Sequence, residues 1–353
     1  RGAQGADLGR MAALDAGYDV KASGVTLDRF CGSGITTVNL AASQVMSGME
    51  DIVIAGGTEM MSYTAATADP KTPPMMDSGN LHLRELHPQS QQGVCADAIA
   101  TLEGIDREAV DQLAVTSQRN AARAIEEGRF DKSLVAVYNR DGSLALDKEE
   151  FPRPQTTMES LSGLKTVFDM WAGIPVDEAG TTYGDMVTTK YPQLKGNMTH
   201  VHLAGNSSGV VDGAAALLLA SQQAVEKNGW TPRARIVATA NMGDCPTLML
   251  NAPVPAAKKV LEKAGLTTDD IDVYEINEAF SVVAEKFIRD LDLDRSKVNI
   301  NGGAMALGHP IGATGSILIG TALDELERSG GKYGLITMCA AGGMAPAVII
   351  ERV

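Results

Sequence analysis

Three reactive side chains in this sequence stand at glycine-rich turns or strand ends: Cys31, His309 and Cys339. Gly32 and Gly34 follow Cys31, and the apolar residues after them recur every three or four positions, which predicts a helix. The N-terminus of a helix favours the thiolate, the nucleophilic form of cysteine. A neighbouring histidine could serve as base for this nucleophile, and a second thiol could give or take a proton. The three residues therefore predict nucleophilic catalysis if the fold brings them together.

Each of these residues also has a structural interpretation. Cys31 could be a buried cysteine in a glycine turn, and Cys339 a small buried residue at the end of a strand. His309 could be a surface histidine in the turn before Pro310. Asn277 follows a predicted strand, where its amide could donate to a substrate or simply cap a helix. Single positions leave these alternatives open.

Alternating strands and helices must position these side chains. This order is typical of a mostly parallel sheet with helices on its faces, in which ligands bind at the carboxyl ends of the strands. Apolar runs predict strands at residues 25–30, 51–57, 214–220, 235–240, 271–276 and 334–339, with those at 51–57 and 214–220 buried. Helical spacing and caps predict helices at residues 3–17, 33–48, 106–127, 221–227, 255–264 and 279–291, and one around 317–326.

The end of the sequence repeats the pattern of its start. Residues 301–343 follow the same order as residues 31–57: a glycine turn with a reactive side chain, a helix, a strand and another glycine turn. Prolines interrupt residues 66–93, and residues 131–202 have few periodic runs, which indicates an inserted segment. We therefore predict two similar α/β halves and a loop domain. The first half comprises residues 1–62 and 203–232, the loop domain residues 63–202, and the second half residues 233–353.

The composition narrows the classes of function. The net charge of -14 over 353 residues argues against a nucleic-acid partner, because phosphate binding needs a basic surface. No apolar run is long enough for a membrane span, and no signal peptide is visible. The four cysteines form no C-x-x-C pair, so neither a metal site nor a disulfide framework is expected. We expect a globular protein with free thiols in the cytoplasm.

Seven motifs together resemble the thiolase family, in the family's order from end to end. The glycine–histidine block at 302–315 is the most specific of them. The motifs are Arg-Phe-Cys-Gly-Ser-Gly at 29–34, Ala-Gly-Gly-Thr-Glu-Met at 55–60, Ala-Gly-Asn-Ser-Ser-Gly at 204–209, Asp-Gly-Ala-Ala at 212–215, Asn-Glu-Ala-Phe at 277–280, Gly-Gly-Ala-Met-Ala-Leu-Gly-His-Pro-Ile-Gly-Ala-Thr-Gly at 302–315 and Met-Cys-Ala-Ala-Gly-Gly-Met at 338–344.

The resemblance implies a five-layered αβαβα fold of two duplicated halves with an inserted loop domain. It also implies reversible transfer of an acyl group between coenzyme A and a 3-ketoacyl-CoA. Cys31 would take the acyl group as a thioester, and His309 would activate it and help hold the thioester oxygen. Cys339 would remove the α-proton of the incoming acyl-CoA or protonate the departing enolate. Asn277 would hold a water in one oxyanion hole, and the backbone N–H groups of Cys31 and Ala341 would form a second.

The resemblance extends to the ligand and to assembly. Ala204, Ser208, Ala279 and Phe280 match family positions along the pantetheine channel. Coenzyme A and acyl-CoA would be co-substrates, with no tightly bound cofactor, no metal and no membrane partner. We expect a homodimer or homotetramer and a place in fatty acid metabolism.

Three features depart from the family pattern. The family has a strand and more before the segment that starts here, so one structural unit is expected to be absent from residues 1–353. Ala341 stands where glycine is usual, and could narrow the second oxyanion hole. Gln91-Gln92-Gly93 stands where many members have His-Met-Gly, and residues 169–201 are longer than in most members. The last two changes bear on the choice of acyl chain.

Two other interpretations compete with a thiolase. Another condensing enzyme of the same fold, such as a ketoacyl synthase, would have a histidine in place of Asn277 and would lack Cys339. A catalytically weak acyl-CoA-binding protein is favoured mildly by Ala341 and by the expected missing unit. The complete set of Cys31, His309, Cys339 and Asn277 argues against it.

Overall fold

Two main sheets and the helices packed on them make up the part of the chain that the computed structural model describes, residues 6–67 and 76–353. The helices are α1 (Leu8–Asp15), α2 (Ser33–Met46), α3 (Met61–Thr67), α4 (Leu81–Leu86), α5 (Gln92–Glu103), α6 (Arg107–Glu126), α7 (Met158–Ser162), α8 (Phe168–Ala172), α9 (Tyr183–Lys190), α10 (Gln222–Asn228), α11 (Pro253–Ala264), α12 (Ser281–Asp290), α13 (Ala304–Leu307) and α14 (Thr314–Ser329). The strands are β1 (Ile52–Met60), β2 (Val137–Tyr138), β3 (Leu144–Leu146), β4 (Asp212–Ala220), β5 (Ala234–Gly243), β6 (Val273–Ile276), β7 (Tyr333–Thr337) and β8 (Met344–Arg352).

The larger sheet has the order β5-β8-β7-β6, and β1 and β4 form a separate antiparallel pair. Of the pairs in the larger sheet, β6–β7 is parallel, while β5–β8 and β7–β8 are antiparallel. The prediction of a mostly parallel sheet is therefore wrong. A tight turn joins β7 to β8, and in it Ala340 and Met344 exchange backbone hydrogen bonds. Strands joined by so short a turn must run antiparallel.

The elements stack in layers. Helices α11 and α12 pack on one face of the larger sheet, and α2 and α14 lie between that sheet and the β1–β4 pair. These are four successive layers of the αβαβα order that the resemblance implies. The N-terminal ends of α2 and α14 touch at two glycines. A Cβ on Gly34 would lie 2.7 Å from the backbone N of Ser316, and one on Gly315 would lie 2.2 Å from that of Ile35.

The β1–β4 pair has one packed face and one open face. Val53, Leu217 and Leu219 point inward and join an apolar cluster with α2 and α14. Ile54 and Leu218, on the other face, are 50% and 56% exposed. The two strands lie where the sequence predicts them, but the prediction that they are buried is wrong. Their residues alternate between the two faces, as in a sheet that packs on one side only.

The first residues differ most from the predictions. Helix α1 is shorter than the predicted 3–17, of which residues 3–5 lie outside the described residues. The strand predicted at 25–30 does not form. A loop stands in its place, held to α1 by Gly9 N–H, which donates to Thr26 Oγ1. Arg10 of α1 holds the preceding segment by donating to the carbonyl of Val20. A strand requires a paired neighbour, and local sequence does not supply one.

The inserted segment consists of short helices and one small hairpin. Asp106 caps α6 by accepting a hydrogen bond from Ala109 N–H, which confirms the predicted start of this helix. Residues 131–202 contain the β2–β3 hairpin and three helices of eight residues or fewer, and α8 and α9 pack on α5. Across the described chain, the helices are too short or too polar to cross a membrane. The division into domains at residues 62, 202 and 232 stays a prediction.

Candidate active site

Asn277 and Cys339 follow two neighbouring parallel strands. Strand β6 ends at Ile276 and β7 at Thr337. The backbone N–H of Asn277 donates to the carbonyl of Thr337 at 3.3 Å, so the two strand ends are directly joined. Because carboxyl ends of parallel strands meet at one edge of a sheet, the two residues lie at the same edge.

Cys31 and His309 come from the N-terminal ends of the two central helices. Cys31 lies two residues before α2, and His309 lies five residues before α14. The close approach of these helix ends brings residues that are 278 positions apart in sequence into the same region. Phe30, immediately before the cysteine, has a positive φ of 51°, so the chain turns sharply just before the sulfur. Both Cys31 and His309 are buried.

Thr314 fixes the tautomer of His309. Its Oγ1 lies 2.7 Å from Nδ1 of His309 and 2.9 Å from the carbonyl oxygen of Pro310. The hydroxyl has one proton, and the carbonyl can only accept, so the hydroxyl donates to Pro310 and accepts from Nδ1–H. Nε2 is then an acceptor, and Nδ2 of Asn277 donates to it at 3.4 Å. The structure therefore leaves a basic nitrogen facing Asn277.

Burial sets the charge of the site. It lowers the pKa of His309 to about 4. It raises the pKa of Cys31 to about 12, with smaller contributions from the charges of Glu59 and Asp28. The pKa of Cys339 is also raised, by burial first and then by the neighbouring Cys31. Loss of hydration therefore opposes the thiolate that the helix N-terminus favours at Cys31.

The turn after Asn277 is held by Glu278. Its buried carboxyl accepts hydrogen bonds from Ser117 Oγ at 2.6 Å, from Asn299 Nδ2 at 2.8 Å and from Met305 N–H at 3.2 Å. Burial nevertheless raises the pKa of this carboxyl. Helix α6 and the segment 299–305, which are far apart in sequence, thus fix the backbone beside Asn277. Sequence reasoning missed these partners, since nothing local marks Ser117 or Asn299.

Most of the residues matched to the pantetheine channel lie beside the site, along the segment 204–209 and its contacts with Ala279 and His309. We call this segment the strip. Ser208 N–H donates to the carbonyl of Ala279 at 3.0 Å, and His309 N–H donates to the carbonyl of Gly209 at 2.9 Å. Ala204, at the start of the same strip, is exposed. The structure therefore brings Ser208, Ala279 and His309 together, with Ala204 farther along the strip.

Phe280 is buried, unlike Ala204. Its ring packs edge-to-face on Phe168, with centroids 5.6 Å apart, and on His202, with centroids 5.7 Å apart. Phe168 also fills the space above Gly93, where a Cβ would lie 2.1 Å from the ring. The helix α8 is therefore seated between the start of α5 and the start of α12. A pantetheine contact of Phe280 stays a prediction.

Thr314 is the functional residue that sequence reasoning missed and could have found. It lies in the same glycine-rich block as His309 and begins α14. Residues 6–67 and 76–353 contain no group of three or more His, Cys, Asp or Glu side chains that could hold a metal ion. The arrangement offers two thiols, a neutral base and an amide donor, which suits acyl transfer and proton transfer at carbon.

The comparisons with known proteins agree with this chemistry. Residues 1–180 match the family model "Thiolase, N-terminal domain", and residues 230–352 match "Thiolase, C-terminal domain". The beta-ketoadipyl-CoA thiolase of Acinetobacter baylyi is 39% identical over 98% of this chain and 84% of its own length. The steroid 3-ketoacyl-CoA thiolase FadA6 of Mycobacterium tuberculosis is 37% identical over 99% of this chain and 80% of its own length.

A solved structure shares the fold. Human mitochondrial 3-ketoacyl-CoA thiolase in complex with CoA superimposes with a TM-score of 0.81 and 34% sequence identity. The match covers 98% of this chain and 82% of that one. The αβαβα fold class predicted from the motifs is confirmed by this similarity.

Proposed function

This chain belongs to the thiolase family, and from that premise we propose how its own residues carry the reaction. The chain is an acyltransferase that cleaves 3-ketoacyl-CoA by thiolysis or forms it by condensation, with coenzyme A as a substrate. The roles of individual residues are our proposal. The observation that carries it is the contact between Asn277 Nδ2 and the basic Nε2 of His309, at the strand edge that also ends in Cys339.

In thiolysis, Sγ of Cys31 attacks the 3-keto carbon while Nε2 of His309 accepts the thiol proton. The resting site holds a neutral thiol and a neutral imidazole, so charge separates only as the substrate carbonyl takes up electrons. Fixed donors then stabilise the developing oxyanion. The backbone N–H groups of Cys31 and Ala341 would serve the oxygen on the carbon that is bonded to sulfur.

The bond between C2 and C3 then breaks, which leaves the acyl group on Cys31 and an enolate of acetyl-CoA. Cys339 protonates the enolate carbon, and the enolate oxygen is held by His309 and by a water on Asn277. The thiol of a second coenzyme A gives its proton to Cys339 and attacks the acyl-cysteine. His309 returns its proton to the departing Sγ of Cys31, which releases the shortened acyl-CoA and restores the resting site. Condensation follows the same steps in reverse. A ketoacyl synthase is disfavoured by Asn277 and Cys339.

Several finer features also stay proposals. We propose that Ala204, Ser208, Ala279 and Phe280 line the pantetheine channel, that the chain assembles as a homodimer or homotetramer, and that it acts in the cytoplasm in fatty acid metabolism. The resemblance and the free thiols support these statements. Light scattering and cell fractionation test assembly and location, and thiolysis of 3-ketoacyl-CoAs of increasing length tests the acyl chain.

The Cys339→Ser variant tests the division of labour between the two cysteines. A serine keeps the size but has a far higher pKa than a thiol, so α-proton removal should fall by about 10²–10⁴-fold. Acylation of Cys31 by acetyl-CoA needs no α-proton and should persist in part. Two measurements decide: mass spectrometry of the acetyl-enzyme, and deuterium exchange at the acetyl methyl group of acetyl-CoA.

The control is Cys31→Ala, which should abolish the acetyl-enzyme. Undiminished deuterium exchange in Cys339→Ser would mean that another group takes the proton. Persistence of an acetyl adduct in Cys31→Ala would mean that the nucleophile is another residue.

A further inference from the structure

Glu275 is a buried carboxyl on β6, the strand that leads into Asn277. It is 1% exposed. Side chains alternate along β6: Val273 joins the apolar cluster of α14, while Tyr274 packs on Phe287 of α12. Glu275 therefore shares the α14 side with Val273 and with Asn277, whose amide reaches His309 on that side.

Three polar atoms on this face lack a partner. Both carboxyl oxygens of Glu275 and Oδ1 of Asn277 are buried, and none of them forms a hydrogen bond with another residue among 6–67 and 76–353. Burial and the nearby charges of Glu278 and Glu325 raise the pKa of Glu275 well above its usual value, so the carboxyl keeps a proton to donate. Such groups cost free energy unless something satisfies them, and they gather where function requires them.

We propose that Glu275 is a positioning residue for Asn277: it donates its carboxyl proton through one buried water to Oδ1 of Asn277 and so orients the amide. Residues two apart on a strand are separated by about 6.6 Å, which suits a bridge through a single water. A buried water typically makes about three hydrogen bonds, and these three atoms supply them. When this water fixes Oδ1 of Asn277 on the side of Glu275, Nδ2 of the same amide must point toward His309.

The inference rests on the proposed role of Asn277. An amide that rotates by 180° presents its oxygen to Nε2 of His309, and an oxygen repels that lone pair and cannot donate. The water that stabilises the enolate oxygen would then lose its fixed position. A misplacement of about 1 Å at a reacting centre can cost about 10²-fold in rate.

A double-mutant cycle between Glu275 and Asn277 tests the proposal, with kcat and KM measured for thiolysis of acetoacetyl-CoA. Glu275→Met keeps the shape but removes the donor, and kcat should fall about 10- to 100-fold with little change in KM for coenzyme A. Glu275→Gln keeps a donor and should retain most of kcat. In the Asn277→Ala background, Glu275→Met should have no further effect.

Stability separates positioning from a structural role. Replacing a buried polar group with an apolar one of similar volume is often neutral or stabilising, so Glu275→Met should melt no lower than the parent chain while turning over more slowly. Tyr274→Phe, which removes a buried hydroxyl from the opposite face of β6, is the matched control and should keep kcat. If Glu275→Met does not fold, Glu275→Leu replaces it in the cycle.

The outcomes are distinguishable. An unchanged kcat in Glu275→Met, an equal loss in Glu275→Gln, or additive losses in the cycle would each overturn the inference while leaving Asn277 its role. An unchanged kcat in Asn277→Ala would overturn the role proposed for Asn277 and this inference with it.

Discussion

His309 is the residue whose surroundings most constrain the chemistry. Thr314 holds its Nδ1–H, Asn277 faces its Nε2, and burial keeps the ring neutral. A neutral imidazole with a fixed tautomer can accept a proton from Cys31 at any pH well above 4. Cys31 is therefore activated when His309 takes its proton as the sulfur attacks the substrate carbonyl, and it needs no negative charge in the resting site.

Acid should therefore destabilise the fold through His309. The pKa of this ring is about 4 in the fold and 6.5 in the reference state, so the unfolded chain binds more protons between these values. The free energy of unfolding should fall as the pH drops from about 6.5 to about 4, by up to about 3 kcal/mol from this residue. Urea unfolding at several pH values measures this, and the loss should be smaller in His309→Asn. Parallel curves for the two proteins would contradict it.

The site could be predicted from the sequence in its reactive residues and not in their partners. Cys31, His309 and Cys339 stand out because residue type and neighbouring glycines are local. Ser117 and Glu278 are 161 positions apart, and no local pattern joins them. The burial that raises the pKa of Cys31 could not be predicted either, because hydration depends on what the whole fold packs around the sulfur.

At the scale of elements, helices were easier to predict than strand pairing. The spacing of apolar residues and the caps locate α2, α6, α10, α11 and α12 to within a few residues. The predicted strands match β1, β4, β5, β6 and β7, but the strand predicted at 25–30 does not form, and β2, β3 and the central strand β8 were missed. The direction of pairing was not predicted either. Pairing depends on which strands the turns allow to meet, and burial depends on what covers each face.

The packing of α8 on α5 gives a prediction at the scale of elements. A Cβ on Gly93 would lie 2.1 Å from the ring of Phe168, so Gly93→Ala must push α8 and its contact with Phe280 aside. Overpacking of this kind should lower the free energy of unfolding by about 1–3 kcal/mol. It should also alter KM for longer 3-ketoacyl-CoAs if α8 borders the acyl pocket. Denaturant unfolding and thiolysis kinetics measure the two effects.

The matched control is Gly320→Ala in the interior of α14, where a Cβ would meet no atom within 4 Å. An alanine there should be neutral or stabilise by up to about 1 kcal/mol. Phe168→Leu, which removes the ring edge, should restore much of the stability of Gly93→Ala. Failure of this rescue would show that the clash lies elsewhere.

At the scale of the molecule, the site exists because the N-terminal ends of α2 and α14 meet above the larger sheet. Cys31 stands just before α2, in the part that matches the N-terminal thiolase domain, while His309, Asn277 and Cys339 lie in the part that matches the C-terminal domain. The glycines at the ends of α2 and α14 allow the approach, and the larger sheet supplies the edge beneath it. The larger sheet is covered on both faces by helices, but the β1–β4 pair is covered on one.

This asymmetry predicts the pattern of amide hydrogen exchange. Strands β7 and β8 are almost wholly buried, whereas β4 has exposed residues at alternate positions and β1 is exposed at Ile52, Ile54 and Met60. Local opening requires less free energy where fewer apolar contacts are lost. Peptides covering 333–352 should therefore exchange at least about tenfold more slowly than those covering 52–60 and 212–220. Mass spectrometry of deuterated chain measures this. Equal protection that persists at high concentration and falls on dilution would instead show that a second copy covers the β1–β4 face.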